Sequence, residues 1–272
     1  MSLPNIPAAV LAAIALAGAA PAAAQSVPDN VVRAELRPGW TTPDGTRIAA
    51  LHLVLAPGWK TYWRSPGDAG IPPEFDWKGS RNLGSVTFRW PRPEIFELNG
   101  YRTLGYRDKL VLPIEFRPAT PGQPMRASAH VSLGVCEEIC VPVTVDVAAD
   151  LSGPGASDPA IRRALDATPG DARAAGLSAA HCTVEPIRDG LKLSAALTLP
   201  SLGGGEMPVI EVEGSPIWVS QATARRKGSV LNAEADLVPS DGKPFALDLS
   251  RVRITVFAEG GRAVELQGCD RG

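Results

Sequence analysis

Cys136 and Cys140 stand four residues apart in a chain with only four cysteines, and the residues around them leave few local structures open. The run Leu133-Gly-Val-Cys136-Glu-Glu-Ile-Cys140-Val-Pro142 has apolar side chains on both flanks: Leu133, Val135, Val141 and Val143. The β-branched Val141 and Val143 around Pro142 favour strand over helix on the far side. The pattern predicts two strand ends joined by the loop Glu137-Glu138-Ile139, with the two thiols facing each other. A straight strand would hold positions four apart at roughly 13 Å. A disulfide needs Cα atoms within about 4.4–6.8 Å, so the loop has to bend back.

The rest of the chain fits that hairpin. Glycine (27) and proline (26) are abundant among the 272 residues, a mixture that favours many short strands with turns over long helices. Val31–Leu36, Ile48–Leu55, Phe75–Trp77, Val86–Trp90, Leu110–Phe116, Met125–Leu133 and Val141–Val147 read as strands, with Tyr101–Asp108 lying between two of them. About eight strands at this spacing indicate a β-sandwich. The run Ala56–Gly70 is rich in Trp, Tyr, Pro and Gly together. It suits an aromatic core plug followed by a surface turn, or a rim packed over the cysteine loop.

Composition shifts near Ala149, and residues 151–177 read as a linker. Within it Ser157-Asp158-Pro159 supplies a capping residue and a first-turn proline for a short helix ending near Ala167. A second, smaller β pattern covers residues 178–272, with strands expected at Leu191–Leu199, Val209–Val212, Ile217–Val219, Ala246–Leu249 and Val252–Phe257. The fold class expected is therefore all-β, a β-sandwich followed by a smaller one.

The first segment reads as a targeting signal. Residues 8–19 are apolar and Ala-rich, and Ala22-Ala23-Ala24 before Gln25 is a small-residue cleavage pattern, although no Lys or Arg precedes the apolar stretch. That run falls short of the roughly 20 apolar residues a span requires. Residues 1–24 are expected to be removed on export, and 25–150 to form the first domain of a protein that is not membrane-embedded. Cysteines in an exported chain suggest disulfides. Cys182 opens the second β region and Cys269 nearly ends the chain, which suits a structural disulfide clamping first strand to last. A loop of that length stabilises by around 4 kcal/mol in the chain-entropy model. A second redox pair, or a thiol activated by His181, is the rival reading.

Few chemistries remain. The net charge of −2 offers no basic surface for nucleic acid. His52, His130 and His181 are the only histidines, and no hydrolase, nucleotide-binding or zinc motif occurs; no metal or other cofactor is called for. Cys136 and Cys140 then form a structural staple, a redox-active pair or a Cu(I) site. A staple over so short a loop gains little entropy, and no Met or His lies nearby to complete a copper site. Glu137 and Glu138 raise the thiol pKa values, and no cation lies within the loop. Such a pair exchanges with docked partners better than it attacks free ones.

Three motifs in order carry a family resemblance: Pro57-Gly-Trp-Lys-Thr-Tyr-Trp-Arg-Ser-Pro-Gly-Asp-Ala-Gly70, Gly105-Tyr-Arg-Asp-Lys-Leu-Val-Leu-Pro113 and Val135-Cys-Glu-Glu-Ile-Cys-Val-Pro142. Together they resemble the N-terminal periplasmic region of the DsbD/ScsB family of thiol:disulfide interchange proteins, most closely over Val27–Val147. The resemblance implies an immunoglobulin-like first sandwich, a periplasmic location and thioredoxin-like periplasmic oxidoreductases as partners. Carried over by position, it implies that Cys140 forms the mixed disulfide and Cys136 resolves it, with Tyr62 and Trp63 as candidates for a shielding cap. Because this sequence carries neither the family's membrane domain nor its thioredoxin-like domain, the resemblance calls for a separate membrane electron donor. The cysteine spacing is shorter than in DsbD itself and resembles that of the ScsB-like branch. A binding or copper-tolerance module is the alternative.

Overall fold

The computed structural model describes residues 31–272 apart from 99, 215, 216, 241 and 244; the expected signal segment lies outside the described residues. The first half contains β1 (Val32–Thr41), β2 (Arg47–Leu55), β3 (Lys60–Gly67), β4 (Glu74–Asp76), β5 (Leu83–Phe88), β6 (Glu94–Leu98), β7 (Tyr101–Arg107), β8 (Lys109–Pro118), β9 (Arg126–Cys136) and β10 (Cys140–Asp150). They form two sheets, ordered β1-β2-β8-β5 and β10-β9-β3-β7-β6, with β4 paired to β9. Leu51, Leu53, Leu112 and Phe116 from one sheet meet Leu104, Val131, Leu133 and Val135 from the other in a common core. This is an immunoglobulin-like β-sandwich.

Strand β2 shows why its sequence is apolar almost throughout. Ala49, Leu51, Leu53 and Leu55 face the sandwich core, while Ile48 and Ala50 on the opposite face lie under Ile161. Ile161 belongs to α1 (Pro159–Asp166), whose cap Asp158 accepts hydrogen bonds from the amides of Ala160 (2.6 Å) and Ile161 (3.2 Å). The cap and first-turn proline read from the sequence thus start a helix that roofs the outer face of the β1-β2-β8-β5 sheet.

The second half contains β11 (Gly170–Asp171), β12 (Ala179–Ile187), β13 (Gly190–Thr198), β14 (Met207–Val212), β15 (Ile217–Val219), β16 (Thr223–Lys227), β17 (Val230–Pro239), β18 (Val252–Phe257), β19 (Ala263–Gln267) and β20 (Asp270–Arg271). Its sheets run β11-β19-β18-β14 and β15-β17-β13-β12-β20, with β16 paired to β17. A separate core of Leu193, Leu197, Leu231, Leu237, Val252 and Ile254 fills the space between them. Gly170–Asp171, inside the stretch read as a linker, pairs in parallel with Val264–Glu265 and so joins this sandwich.

Four local expectations change. Lys60–Gly67 carries the buried aromatics expected there, Tyr62 and Trp63, but on β3, a central strand, with the turn only after it at residues 68–69. Tyr101–Arg107 is β7, its neighbour. Val230–Pro239 is the central strand β17, bearing Leu231, Ala233, Ala235 and Leu237 on its buried face. Ala246–Leu249 runs outside any strand. Asp248 there accepts hydrogen bonds from the amide (3.0 Å) and hydroxyl (2.7 Å) of Ser250, turning the chain into a 3-10 turn at Leu249–Arg251. The side chain's competition for backbone donors explains why an alternating pattern did not become a strand.

The two sandwiches meet at β3. Trp63, fully buried, packs edge-on against Phe257 of β18 with ring centroids 5.4 Å apart. Arg64 reaches across to Glu211 through paired contacts of 3.0 and 2.9 Å, and also bonds Glu265 and Thr255. Met207, Val209 and Ala263 complete the apolar part of this junction.

Candidate functional site

Strands β9 and β10 form an antiparallel hairpin in which Cys136 and Cys140 are directly opposed, joined by Glu137-Glu138-Ile139. Their Cα atoms lie 4.2 Å apart and the sulfurs are bonded. The bent loop needed for that pairing follows from strand registers fixed by Leu133, Val135 and Val131 facing the core. The two sulfurs are not equivalent. Cys136 is 1% exposed, while Cys140 belongs to the exposed tip with Glu137, Glu138 and Ile139. Of the two residues, Cys140 is the one open to solvent.

Tyr62 provides the group in direct contact with the bond. Its hydroxyl lies 2.8 Å from Cys136 Sγ and 3.1 Å from Cys140 Sγ. Disulfide sulfurs carry no proton, so the phenol donates to both. Burial raises the phenol pKa above its ordinary value, which keeps the donor protonated. The loop after β3 then lies on this tyrosine. A β-carbon placed on Gly70 would stand 2.8 Å from Cδ1 of Tyr62, and one on Gly134 would stand 2.6 Å from Cβ of Ile71. Only glycine at both positions lets the 70–71 turn settle against the ring and strand β9.

Of the two residues expected to shield the pair, the structure brings Tyr62 to the sulfurs and places Trp63 at the junction with the second sandwich. Successive residues of a strand point to opposite faces. Cover from the Gly70 backbone agrees with the rim reading of Ala56–Gly70, whereas Ile71 and the charge of Lys60 were not foreseen. The loop itself holds no cation, but β3 pairs with β9 so that Lys60 stands directly opposite Cys136, and Arg107 of β7 stands opposite Lys60. The ammonium of Lys60 lies 4.7 Å from the ring centre of Phe96 and 5.9 Å from that of Tyr62; the Arg107 guanidinium lies 5.1 Å from Phe96. Burial, then the Arg107 charge, lowers the Lys60 pKa. The Cys136 environment is therefore not governed by Glu137 and Glu138 alone. The alternation Lys60-Thr61-Tyr62 was the available signal, readable once β3 is known to be a strand.

Cys182 of β12 and Cys269, just before β20, are also bonded, with Cα atoms 5.8 Å apart and a sequence separation of 87. Cys182 is fully buried, and the adjacent strands β12 and β20 are in parallel register at Cys182 and Arg271. Among the described residues no group of three or more His, Cys, Asp or Glu side chains is placed to hold a metal ion. No helix of the described residues is long and apolar enough to cross a membrane.

An immunoglobulin-like sandwich with a half-exposed disulfide at a hairpin tip, touched by a tyrosine hydroxyl, defines a thiol:disulfide interchange domain. Residues 30–152 match the family described as thiol:disulfide interchange protein DsbD, N-terminal, and the first sandwich belongs to the DsbD/ScsB family on that match. The crystal structure of the N-terminal periplasmic domain of ScsB from Proteus mirabilis shares the fold over both sandwiches: TM-score 0.62, 24% identity, 91% of this chain and 97% of that one. Two Neisseria meningitidis structures also align. One is the complex between the DsbD N-terminal and PilB N-terminal domains (TM-score 0.27, 19% identity, 50% of this chain and 94% of that). The other is the reduced DsbD N-terminal domain (0.24, 23%, 44% and 86%). No curated protein matches the chain.

Proposed function

We propose that the protein passes electron pairs between thioredoxin-like partners through Cys136 and Cys140, in the periplasm, after removal of residues 1–24. In this reading residues 25–150 are the exchanging domain, 151–177 the connection and 178–272 a second sandwich held by Cys182–Cys269. A separate membrane protein supplies the electrons. The observation that carries the reading is the asymmetry of the pair: a buried Cys136, an exposed Cys140, and one hydroxyl on both sulfurs.

The chemistry balances as follows. A partner thiolate attacks Cys140 Sγ; a new intermolecular S–S bond forms, the Cys136–Cys140 bond breaks, and the electron pair remains on Cys136 as thiolate. The Tyr62 hydroxyl stays within reach of that sulfur, and a hydrogen bond to an anion is stronger than one to a disulfide. The partner's second thiolate then displaces Cys140, and two protons complete the dithiol. Delivery to an oxidised client runs the same steps in reverse, with Cys136 resolving the mixed disulfide.

The test is a redox titration in glutathione buffers, read by alkylation and mass. Cys136 and Cys140 are expected to titrate together at very roughly −180 to −270 mV, the range of dithiol carriers, while Cys182 and Cys269 stay oxidised. A Cys136→Ala variant should then trap partners through Cys140. If both pairs resist reduction below about −300 mV, as structural disulfides do, the carrier reading fails. Stoichiometric Cu(I) binding lost in Cys136→Ser/Cys140→Ser, without thiol exchange, would instead establish the copper-handling alternative.

A further inference from the structure

Three strands place Cys136, Lys60 and Arg107 in one row, each directly opposite the next. Directly opposed residues of antiparallel strands project from the same face with Cβ atoms about 5 Å apart. The two cations crowd around one ring, that of Phe96, and neither forms an ion pair with a carboxylate among the described residues. Like charges side by side cost free energy unless an anion offsets them. The acids on the segments around the row are Glu137 and Glu138, both exposed on the loop, Asp108, exposed and next in the chain to Arg107 with its amide on the Trp59 carbonyl, Glu94, opposite Gly105 at the start of β6, and Glu97, which pairs with Arg102. None of them lies in the row itself. The row ends at the Cys136 sulfur, which is neutral in the disulfide.

We infer that Lys60, backed by Arg107, is a positioning residue that holds Cys136 as a thiolate while Cys140 is bonded to a partner. This rests on the exchange reading above and adds to it the group that offsets the charge. Opening the disulfide moves an electron pair onto Cys136, so an anion forms where the row of cations lacks one. Tyr62 contacts that sulfur directly; Lys60 acts on it through its charge, from over the Tyr62 ring. The lowered pKa of Lys60 agrees with an ammonium that has no counter-charge in the oxidised state. Formation of the thiolate would raise it again.

The decisive experiment needs no partner. In a Cys140→Ala variant, the Cys136 thiolate is titrated by its ultraviolet absorbance. Adding Lys60→Met should cut the thiolate fraction at neutral pH by about tenfold; Lys60→Arg should restore it, and Arg107→Met should lower it less. A titration unchanged by Lys60→Met overturns the inference. Should Lys60→Met fail to fold, the Cys140→Ala protein itself decides. A cation-lined thiolate reacts with iodoacetate, an anion, at a rate close to or above that with neutral iodoacetamide, whereas a marked preference for iodoacetamide overturns the inference. The redox titration of the unaltered protein is independent. A redox-active pair with an unmoved Cys136 pKa defeats this inference alone, and a pair that never reduces defeats the exchange reading.

Discussion

The two disulfides of this chain share a bond type and little else. Cys136–Cys140 closes a sequence separation of four at a hairpin tip, with Cys140 exposed and both sulfurs touched by a hydroxyl. Cys182–Cys269 spans 87 residues, sits with Cys182 fully buried, and joins the chain's last strand to the strand that begins the β12-β13 ladder. In the chain-entropy model a short closure contributes about 2 kcal/mol and a long one about 4.5 kcal/mol. The bond with less to contribute to stability is the one placed where another protein can reach it. On the proposed function, stability and exchange are divided between the sandwiches.

That division can be broken most severely at the long closure. Cys182→Ser/Cys269→Ser should lose about 4 kcal/mol in urea unfolding, and Cys136→Ser/Cys140→Ser about half of that. Equal losses would remove the distinction. The next largest effect lies at the junction. Arg64→Met leaves Glu211 without its ion-pair partner and Glu265 with Arg253 alone, 3.6 Å away, both carboxylates only partly exposed, at a cost of about 3 kcal/mol. Unfolding should show the first and second sandwiches losing stability together, while both disulfides still form. The smallest effect sharpens the comparison. Tyr62→Phe should change stability by no more than about 1 kcal/mol, yet slow opening of Cys136–Cys140 by dithiothreitol by about tenfold, since only the developing thiolate gains from the charge-assisted bond. The phenol's raised pKa means that this difference should persist unchanged from neutral to mildly alkaline pH. An unaltered rate would reduce Tyr62 to packing.

Much of this was legible in the sequence because it is local. The Cys136–Cys140 hairpin is written in five residues and two flanking valine runs, and the Asp158 cap lies beside the proline it precedes. The long disulfide was legible through the position of its cysteines at the two ends of one pattern. What escaped depends on pairing between distant segments. Lys60 meets Cys136 only because β3 joins β9, and nothing near position 60 announces that register. Strand β17 was passed over because alanines occupy two of its buried positions, Ala233 and Ala235, where a stronger apolar signal would have marked the alternation. Trp63 looked like a companion of Tyr62 by adjacency. In a strand, adjacency means opposite faces.

That last point reaches beyond the reading of one pair of aromatics. The family match ends at residue 152, which invites cutting the chain there. Yet the strand that presents Tyr62 to the sulfurs presents Trp63 and Arg64 to Phe257, Glu211 and Glu265. A fragment ending at 152 would uncover the edge of Trp63 that Phe257 packs on and leave the Arg64 guanidinium without Glu211 and Glu265, on the strand that carries Tyr62. For this chain the smallest piece that keeps the contacts of β3 intact is the pair of sandwiches together.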